Sequence, residues 1–455
     1  MKTSSGSRQK AVERNKRPFS RFKALLPRLS GNRSLVYLLL TAYCLLSASF
    51  LHAEDLRLQD LIDEALRNNH DLIISGLKVE TSRYKIPQAK SLPDPMFMFG
   101  YQNEGYKRYT YGEMEGAQWM FSASQMFPFP GKLSLKGEMA SWDAEGLKAQ
   151  HDYSRLVLVS RIKELYYDLY LTHKNIELIT EKTELFSRIE DAALARYSSG
   201  MAPQQEVIMA QTEKYMLIEK DEMLKQRLQS LEAMLNTTAG REVNSPLGRP
   251  IEPVFIPYTM TMDDLLRSAQ ENSPLLQVKE KMVKASEARV KMAEKEYYPD
   301  FTLAASLFKR SGEFEDMWSL TTTINIPLFY KTKQKMAVLE AESSLSEARH
   351  ELEAARFMLA SSLRENYSMV RTSERLMELY KESLIPKAYQ DFESALSGYI
   401  TGKVEAITVI TRLKSVIDFE LLYWGQFSER EKAIGRIEAI SYAGVQPAAP
   451  GGEKK

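Results

Sequence analysis

Cysteine is almost missing from this sequence. Its one residue, Cys44, lies in an apolar run near the N-terminus, so a chain cleaved after Ala53 has no disulfide, no thiolate metal site and no cysteine nucleophile. Histidine is scarce as well. Beyond His52 there are only His70, His151, His173 and His350, and none falls in a ligand spacing such as His-x-x-x-His. No phosphate-cradling glycine loop, nucleophile elbow or Cys-x-x-Cys occurs. Carboxylates are common but read as solvated helix faces, so neither an enzyme nor a cofactor protein is indicated. With 21 Gly and 18 Pro in 455 residues, the chain is poor in breakers for an all-β or loop-rich protein. What is abundant instead is Ala, Leu, Glu, Lys, Arg, Gln and Met, the composition of long helices.

The near-zero charge conceals an asymmetry. Residues 1–53 carry ten Lys or Arg against the single acid Glu13, so a chain of net +1 is left with about −8 over the remainder. A mildly acidic body argues against nucleic-acid binding, which needs a basic face. The basic stretch Lys2–Arg33 is followed by the apolar run Leu35–Leu51, then His52-Ala53 and the acidic Glu54-Asp55. This order predicts a secretory signal over 1–53, cleaved between Ala53 and Glu54. The competing reading is an uncleaved anchor, because about 17 apolar residues just span a bilayer. Lipidation of Cys44 would need a small residue before it, and Tyr43 is large.

Self-similarity runs through the rest at a spacing of roughly 200 residues. Leu58–Leu66 resembles Met262–Gln270, and each is followed by a helix stop, Asn68-Asn69-His70 and Asn272-Ser273-Pro274. Pro93-Asp94 matches Pro299-Asp300, Phe127-Pro128 matches Ile326-Pro327, and Arg196–Gly200 matches Gly398–Gly402. The landmarks keep their order in both halves. Each half reads as helix, strand, strand, very long helix, turn, helix.

The long helices carry a narrow apolar stripe. In the second half it is Leu345, Ala348, Leu352, Ala355, Leu359, Leu363, Tyr367 and Val370, in steps of three and four, with Glu, Arg, Ser and Gln opposite. Such a stripe is coiled-coil-like. From Leu133 to Tyr197 a single helix would reach on the order of 95 Å, which suits a rod or tunnel. Pro386 is expected to bend or break the second long helix.

Four short segments alternate with period two. In Trp318–Ile326, residues Trp318, Leu320, Thr322, Ile324 and Ile326 share one side, and Ser319, Thr321, Thr323 and Asn325 the other. Phe301–Leu307 behaves likewise, Gln118–Gln125 more weakly, and Met96–Tyr101 is apolar on both sides. Such strands fit a membrane barrel wall, with Trp119, Phe121, Phe301, Leu303, Trp318, Leu320 and Ile324 facing lipid; a small soluble sheet packed on a helix is the alternative. Four strands cannot close a barrel, since the smallest have about eight. An open edge in lipid would leave backbone groups unpaired. Strands in the membrane therefore require several copies sharing one barrel, and three copies give twelve strands.

Over roughly 54–440 the chain resembles the TolC-type outer-membrane efflux proteins. The resemblance is carried by the repeated Leu-rich opening helices, Pro93-Asp94-Pro95 and Pro299-Asp300, and the paired Tyr-x-x-Gly turns. Gln125–Leu133 resembles the heavy-metal efflux branch. It implies a mainly α fold with a small β part: a homotrimer with a shared twelve-stranded transmembrane barrel and a periplasmic α-helical barrel. It divides the chain into a first repeat at 54–236, with its strand pair at 95–127 and helix tip near 197–203. A linker or equatorial segment follows at 237–258. The second repeat covers 259–440, with strands at 300–327 and a tip near 399–404, and 441–455 is expected to be a disordered tail. The resemblance further implies an exit duct in the outer membrane, its periplasmic adaptor (membrane fusion) protein meeting the tips. Tyr197, Gly200 and Met201 match one tip, and Tyr399, Gly402 and Lys403 the other. Lys403-Val404 departs from the small apolar pair usual there, and each glycine can instead be read as a plain helix cap. Energy would come from an inner-membrane pump, of the resistance–nodulation–division type, with heavy-metal cations or small toxic compounds as cargo. Met96, Met98, Met114, Met120 and Met126 cluster about the first strand pair, a set that suits Cu(I) or Ag(I) but equally ordinary wall packing. A duct for type I protein secretion and an anchored periplasmic coiled coil are the rival functions.

Overall fold

The computed structural model describes residues 55–441. The basic leader, Cys44, the Ala53–Glu54 junction and the tail from 442 onward lie outside the described residues.

Helices α1 (Leu58–Asn68) and α2 (His70–Lys90) open the first half. Strands β1 (Met96–Gln102) and β2 (Gln118–Phe127) follow, then α3 (Lys132–Ser198) and α4 (Gln204–Ala239). The second half runs through α5 (Met262–Asn272), α6 (Pro274–Lys295), β3 (Asp300–Lys309) and β4 (Met317–Asn325). It ends with α7 (Gln334–Leu379), a π-helical turn at Tyr380–Leu384, α8 (Ile385–Ile400) and α9 (Ala406–Ser441).

Two helices, rather than the one expected, precede each strand pair. The reason is local. Asn69 and Ser273 are extended, each ending one helix and starting the next. The Leu72 amide donates to the Asn69 side chain at 2.9 Å, and Pro274 occupies the first helical position, where its missing N–H leaves nothing unsatisfied. At Pro386 the chain stays helical but widens into the π turn just before it. The wider turn accommodates a residue that cannot donate and that crowds the preceding turn.

At 67 residues, α3 is about 100 Å long. Apolar side chains gather in separate clusters along the helices, and α3 contributes to more than one of them. Towards the helix tips, Phe186, Ile189 and Ala193 of α3 pack with Val207 and Ala210 of α4, Phe392 and Tyr399 of α8, and Val409, Leu413 and Val416 of α9. Elsewhere, Leu61 and Ala65 of α1 meet Ile162, Leu165 and Leu169 of α3 and Leu235 of α4. A cluster of matching make-up joins Leu265 and Ala269 of α5 to Leu359, Leu363 and Val370 of α7 and Ala433 and Ile437 of α9. The stripe expected on α7 is the side it buries there.

Charged groups tie the helices laterally. Lys432 pairs with Asp168 at 2.8 Å, Arg436 with Glu164 at 2.6 Å, and Lys163 with Glu438. Buried Lys182 of α3 reaches Glu420 of α9 at 3.1 Å and the hydroxyl of Tyr389 on α8. Burial alone would lower its pKa, but the hydrogen bonds to Tyr389 and Glu181 and the Glu420 charge outweigh it and raise it. Arg430, also buried, pairs with Glu374 at 3.0 Å, donates to the Ile256 carbonyl and covers the Phe255 ring at 4.5 Å. It thereby fixes the irregular segment between α4 and α5. Among the described residues no helix is long and apolar enough to cross a membrane.

Candidate functional site

Two parts of the molecule have no use in a closed globule: the sheet and the helix tips. The strands form one antiparallel sheet in the order β1-β2-β3-β4, with β1 and β4 as free edges. Cross-strand partners share a face, so the register fixes which side each residue occupies. Tyr101 pairs with Trp119, Phe99 with Phe121, Phe127 with Phe301, Gln125 with Leu303, Leu307 with Trp318, Ala305 with Leu320, and Phe301 with Ile324. Trp119, Phe121, Phe301, Leu303, Trp318, Leu320 and Ile324 therefore lie together on one face. The register adds Leu307 of β3, and Phe97, Phe99 and Tyr101 of β1, whose face the sequence left open because β1 is apolar on both sides.

This face is inside out by the standard of a soluble sheet. Among the described residues no helix packs across it. Phe97 is 81% exposed, Trp318 76% and Leu320 70%. Aromatic contacts run along it: Phe99 against Trp119 and Phe121 at 5.2 Å each, and Phe127 against Phe301 at 5.5 Å. The opposite face carries Ser122, Ser124, Thr302, Ser306, Thr321 and Thr323, with the Ser306 hydroxyl donating to Ser122 at 2.8 Å. Met96, Met98, Met120 and Met126 sit on this polar side as well. Met114 lies in the loop between β1 and β2. Among the described residues no three or more His, Cys, Asp or Glu side chains are placed to hold a metal ion.

At the far end, α3–α4 and α8–α9 turn back through glycines with positive φ, Gly200 at 71° and Gly402 at 75°. Both turns satisfy their last carbonyls in the same way. Gly200 and Met201 donate to Tyr197 and Arg196, and Gly402 and Lys403 donate to Tyr399 and Gly398, at 2.8–3.0 Å. The side chains differ. Tyr197, Met201 and Lys403 are exposed, and a Cβ on Gly200 would meet nothing within 4 Å. Tyr399 is fully buried, so its part is to brace the two tips rather than to project. The Arg196 guanidinium covers its ring at 4.5 Å and donates to its carbonyl, while its hydroxyl donates to Glu206 of α4 at 2.9 Å. Burial first, and then the bond to Glu206, push the Tyr399 hydroxyl up to about 12. Arg196 and Glu206 were not foreseen. The one signal was that Arg196 stands where the second half has Gly398, whose Cβ would come within 2.6 Å of Val404.

Residues 265–411 match the model of the outer membrane efflux protein family. The cobalt-zinc-cadmium resistance protein CzcC of Cupriavidus metallidurans is 20% identical, over 85% of this chain and 90% of its own length. The chain is thus similar to the outer membrane efflux proteins. A probable outer membrane lipoprotein of Salmonella typhimurium, SilC, is 22% identical over 80% of each chain. The crystal structure of the outer membrane protein VceC of Vibrio cholerae superposes with a TM-score of 0.72 at 16% identity, covering 84% of this chain and 96% of that one, a likeness of fold. The matched family model is described as an outer membrane efflux protein, and SilC is named as a probable outer membrane lipoprotein.

Proposed function

We propose that the protein is the outer-membrane duct of a tripartite efflux system, passing cargo passively from the periplasm to the exterior. The observation that carries this reading is the four-stranded sheet with one bare apolar face, one polar face and two free edges. In lipid the unpaired edges of β1 and β4 would cost several kcal/mol per backbone group. Pairing β4 of one copy with β1 of the next removes them, and three copies close a ring of twelve strands, apolar outside and polar within. The long helices then continue the lumen into the periplasm as an α-barrel of two related halves, with the segment at 237–258 forming an equatorial collar. The signal at 1–53 delivers the chain, with cleavage after Ala53.

Tyr197, Gly200, Met201, Gly402 and Lys403 at the tips meet a periplasmic adaptor, with Tyr399 beneath them, and an inner-membrane pump of the resistance–nodulation–division type supplies energy. CzcC is named for cobalt, zinc and cadmium resistance, which supports divalent heavy-metal cations as cargo and favours efflux over type I protein secretion.

Fractionation tests the reading. The chain is expected in the outer membrane as a heat-resistant trimer whose sequence starts near Glu54, and its deletion should lower resistance to cobalt, zinc or cadmium. A water-soluble monomer that needs no detergent would overturn it.

A further inference from the structure

The chain contains two places where a strand pair hands over to a long helix, and they are unequally occupied. The first lies between β2 and α3. There the Phe129 ring stacks on Tyr298 at 4.5 Å, and the Phe129 amide donates to the Asp300 carboxylate at 2.7 Å. Lys132, the first residue of α3, is buried and pairs with Asp300 at 2.9 Å while donating to the Tyr298 carbonyl at 3.1 Å. Lys295 covers both rings, at 5.7 and 5.2 Å. The lead-in to β3, Tyr298-Pro299-Asp300, thus acts as a socket for the run-out of the neighbouring strand β2: an apolar platform followed by a carboxylate that takes an amide and a buried ammonium.

The remaining lead-in and run-out have the same chemistry in the same order. The lead-in to β1 is Leu92-Pro93-Asp94, and the run-out of β4 is Ile326-Pro327-Leu328-Phe329-Tyr330-Lys331, with Lys333 two residues on. Both stand empty. Leu328 and Phe329 are 75% and 76% exposed, Leu92 is 48% exposed, and Asp94, Lys331 and Lys333 are exposed. No hydrogen bond or ion pair engages the Asp94 carboxylate or either ammonium among the described residues. Gln334, which opens α7 as Lys132 opens α3, is buried with its Oε1 lacking a partner. Within one chain these two ends cannot meet, because they flank the opposite edges of the sheet.

We propose that the run-out of β4 in one copy seats in the β1 lead-in of the next. Asp94 takes Lys331 or Lys333 as Asp300 takes Lys132, and Leu92 supports Leu328 and Phe329 as Tyr298 supports Phe129. The occupant is a second copy of this chain, because the socket, the plug and their charges repeat an interface already built inside the molecule. The inference rests on the trimeric reading above and assigns the residues that lock its barrel to its helices. The ring then has one kind of joint throughout, alternately within and between copies.

Two measurements separate its failure from that of the trimer. The full-length chain is first tested for a heat-resistant trimer in outer membranes. Asp94→Cys is then combined with Lys331→Cys, and separately with Lys333→Cys, and the membranes are oxidised. At least one pair should give reducible, covalently linked dimers and trimers that the single variants lack. In parallel, Asp94→Lys should lower the temperature at which the trimer dissociates, and adding Lys331→Asp with Lys333→Asp should restore it. A normal trimer in which neither pair cross-links, and which Asp94→Lys does not weaken, overturns the joint and leaves the duct standing. Absence of any trimer overturns both.

Discussion

Gly240 ends α4 with φ of +80°, and a Cβ built there would stand 2.5 Å from the Asn68 carbonyl oxygen and 2.7 Å from its carbon. Both obstacles are backbone, so neither can swing aside. Gly240→Ala must combine left-handed strain with a displaced α1, and a loss of about 1–3 kcal/mol is expected. Gly200 has a similar φ but open space around it, so Gly200→Ala should cost less in the same thermal unfolding series. Equal losses at the two positions would mean that the Asn68 contact is not the cause. A second residue-scale effect concerns acid. Glu64 of α1 pairs with Arg241, just past the same glycine. The hydrogen bond from Arg241 is the main influence holding its carboxyl below the ordinary 4.5, with burial opposing. A depressed folded pKa means that the stabilisation is present above the unfolded value and is lost as pH falls through the folded one. The chain should therefore unfold at a higher temperature than Glu64→Gln at neutral pH, with the gap closing below about pH 4. A gap that persists undiminished in acid would exclude the ion pair as its source. None of these contacts was legible beforehand, since they join residues more than 170 positions apart.

Elements were far more legible than contacts. The alternation of Phe301–Leu307 falls within β3, and that of Trp318–Ile326 falls in β4 except for Ile326, one residue past its end, because a strand with one buried-type face writes period two directly into its sequence. The first segment, Met96–Tyr101, gave its strand but not its face, which only the pairing with β2 decides. Breaks were partly readable: Pro386 announced a disturbance, yet nothing local distinguishes a kink from a π turn. That turn lies beside the buried network of Lys182, Tyr389 and Glu420, which pins α8 to α3 and α9 just after the disturbance. Lys182→Met would strand the Glu420 carboxylate in that interior and is expected to cost about 3–5 kcal/mol. The double change Lys182→Met with Glu420→Leu removes both charges and should recover most of the loss. Thermal unfolding of the four chains forms the double-mutant cycle. Additive losses would mean that the two side chains do not act as a pair.

At the scale of the whole molecule, function follows from a mismatch between one chain and its surface. The long helices bury apolar stripes against one another within the chain, whereas the sheet leaves its apolar side and both edges bare. A sequence can display such a surplus, as the alternating segments do here, but it cannot say what covers it. In the proposed barrel, lipid on one face and water on the other make opposite demands on neighbouring residues, and Leu320 and Thr321 of β4 test them one position apart. Leu320, paired with Ala305, lies on the bare apolar face, and Thr321, paired with Ala304, lies on the polar one. Leu320→Arg would set a guanidinium in hydrocarbon at about 2–4 kcal/mol near the midplane, and three copies would bear that cost at once. It should sharply reduce the heat-resistant trimer recovered from outer membranes. Thr321→Arg would place the same charge in the aqueous lumen. The trimer should survive, and its conductance in planar bilayers should shift towards anions. If the two substitutions had equal effects on assembly, or if Thr321→Arg were the worse, the sheet would not separate lipid from water, and its bare face would need some other cover.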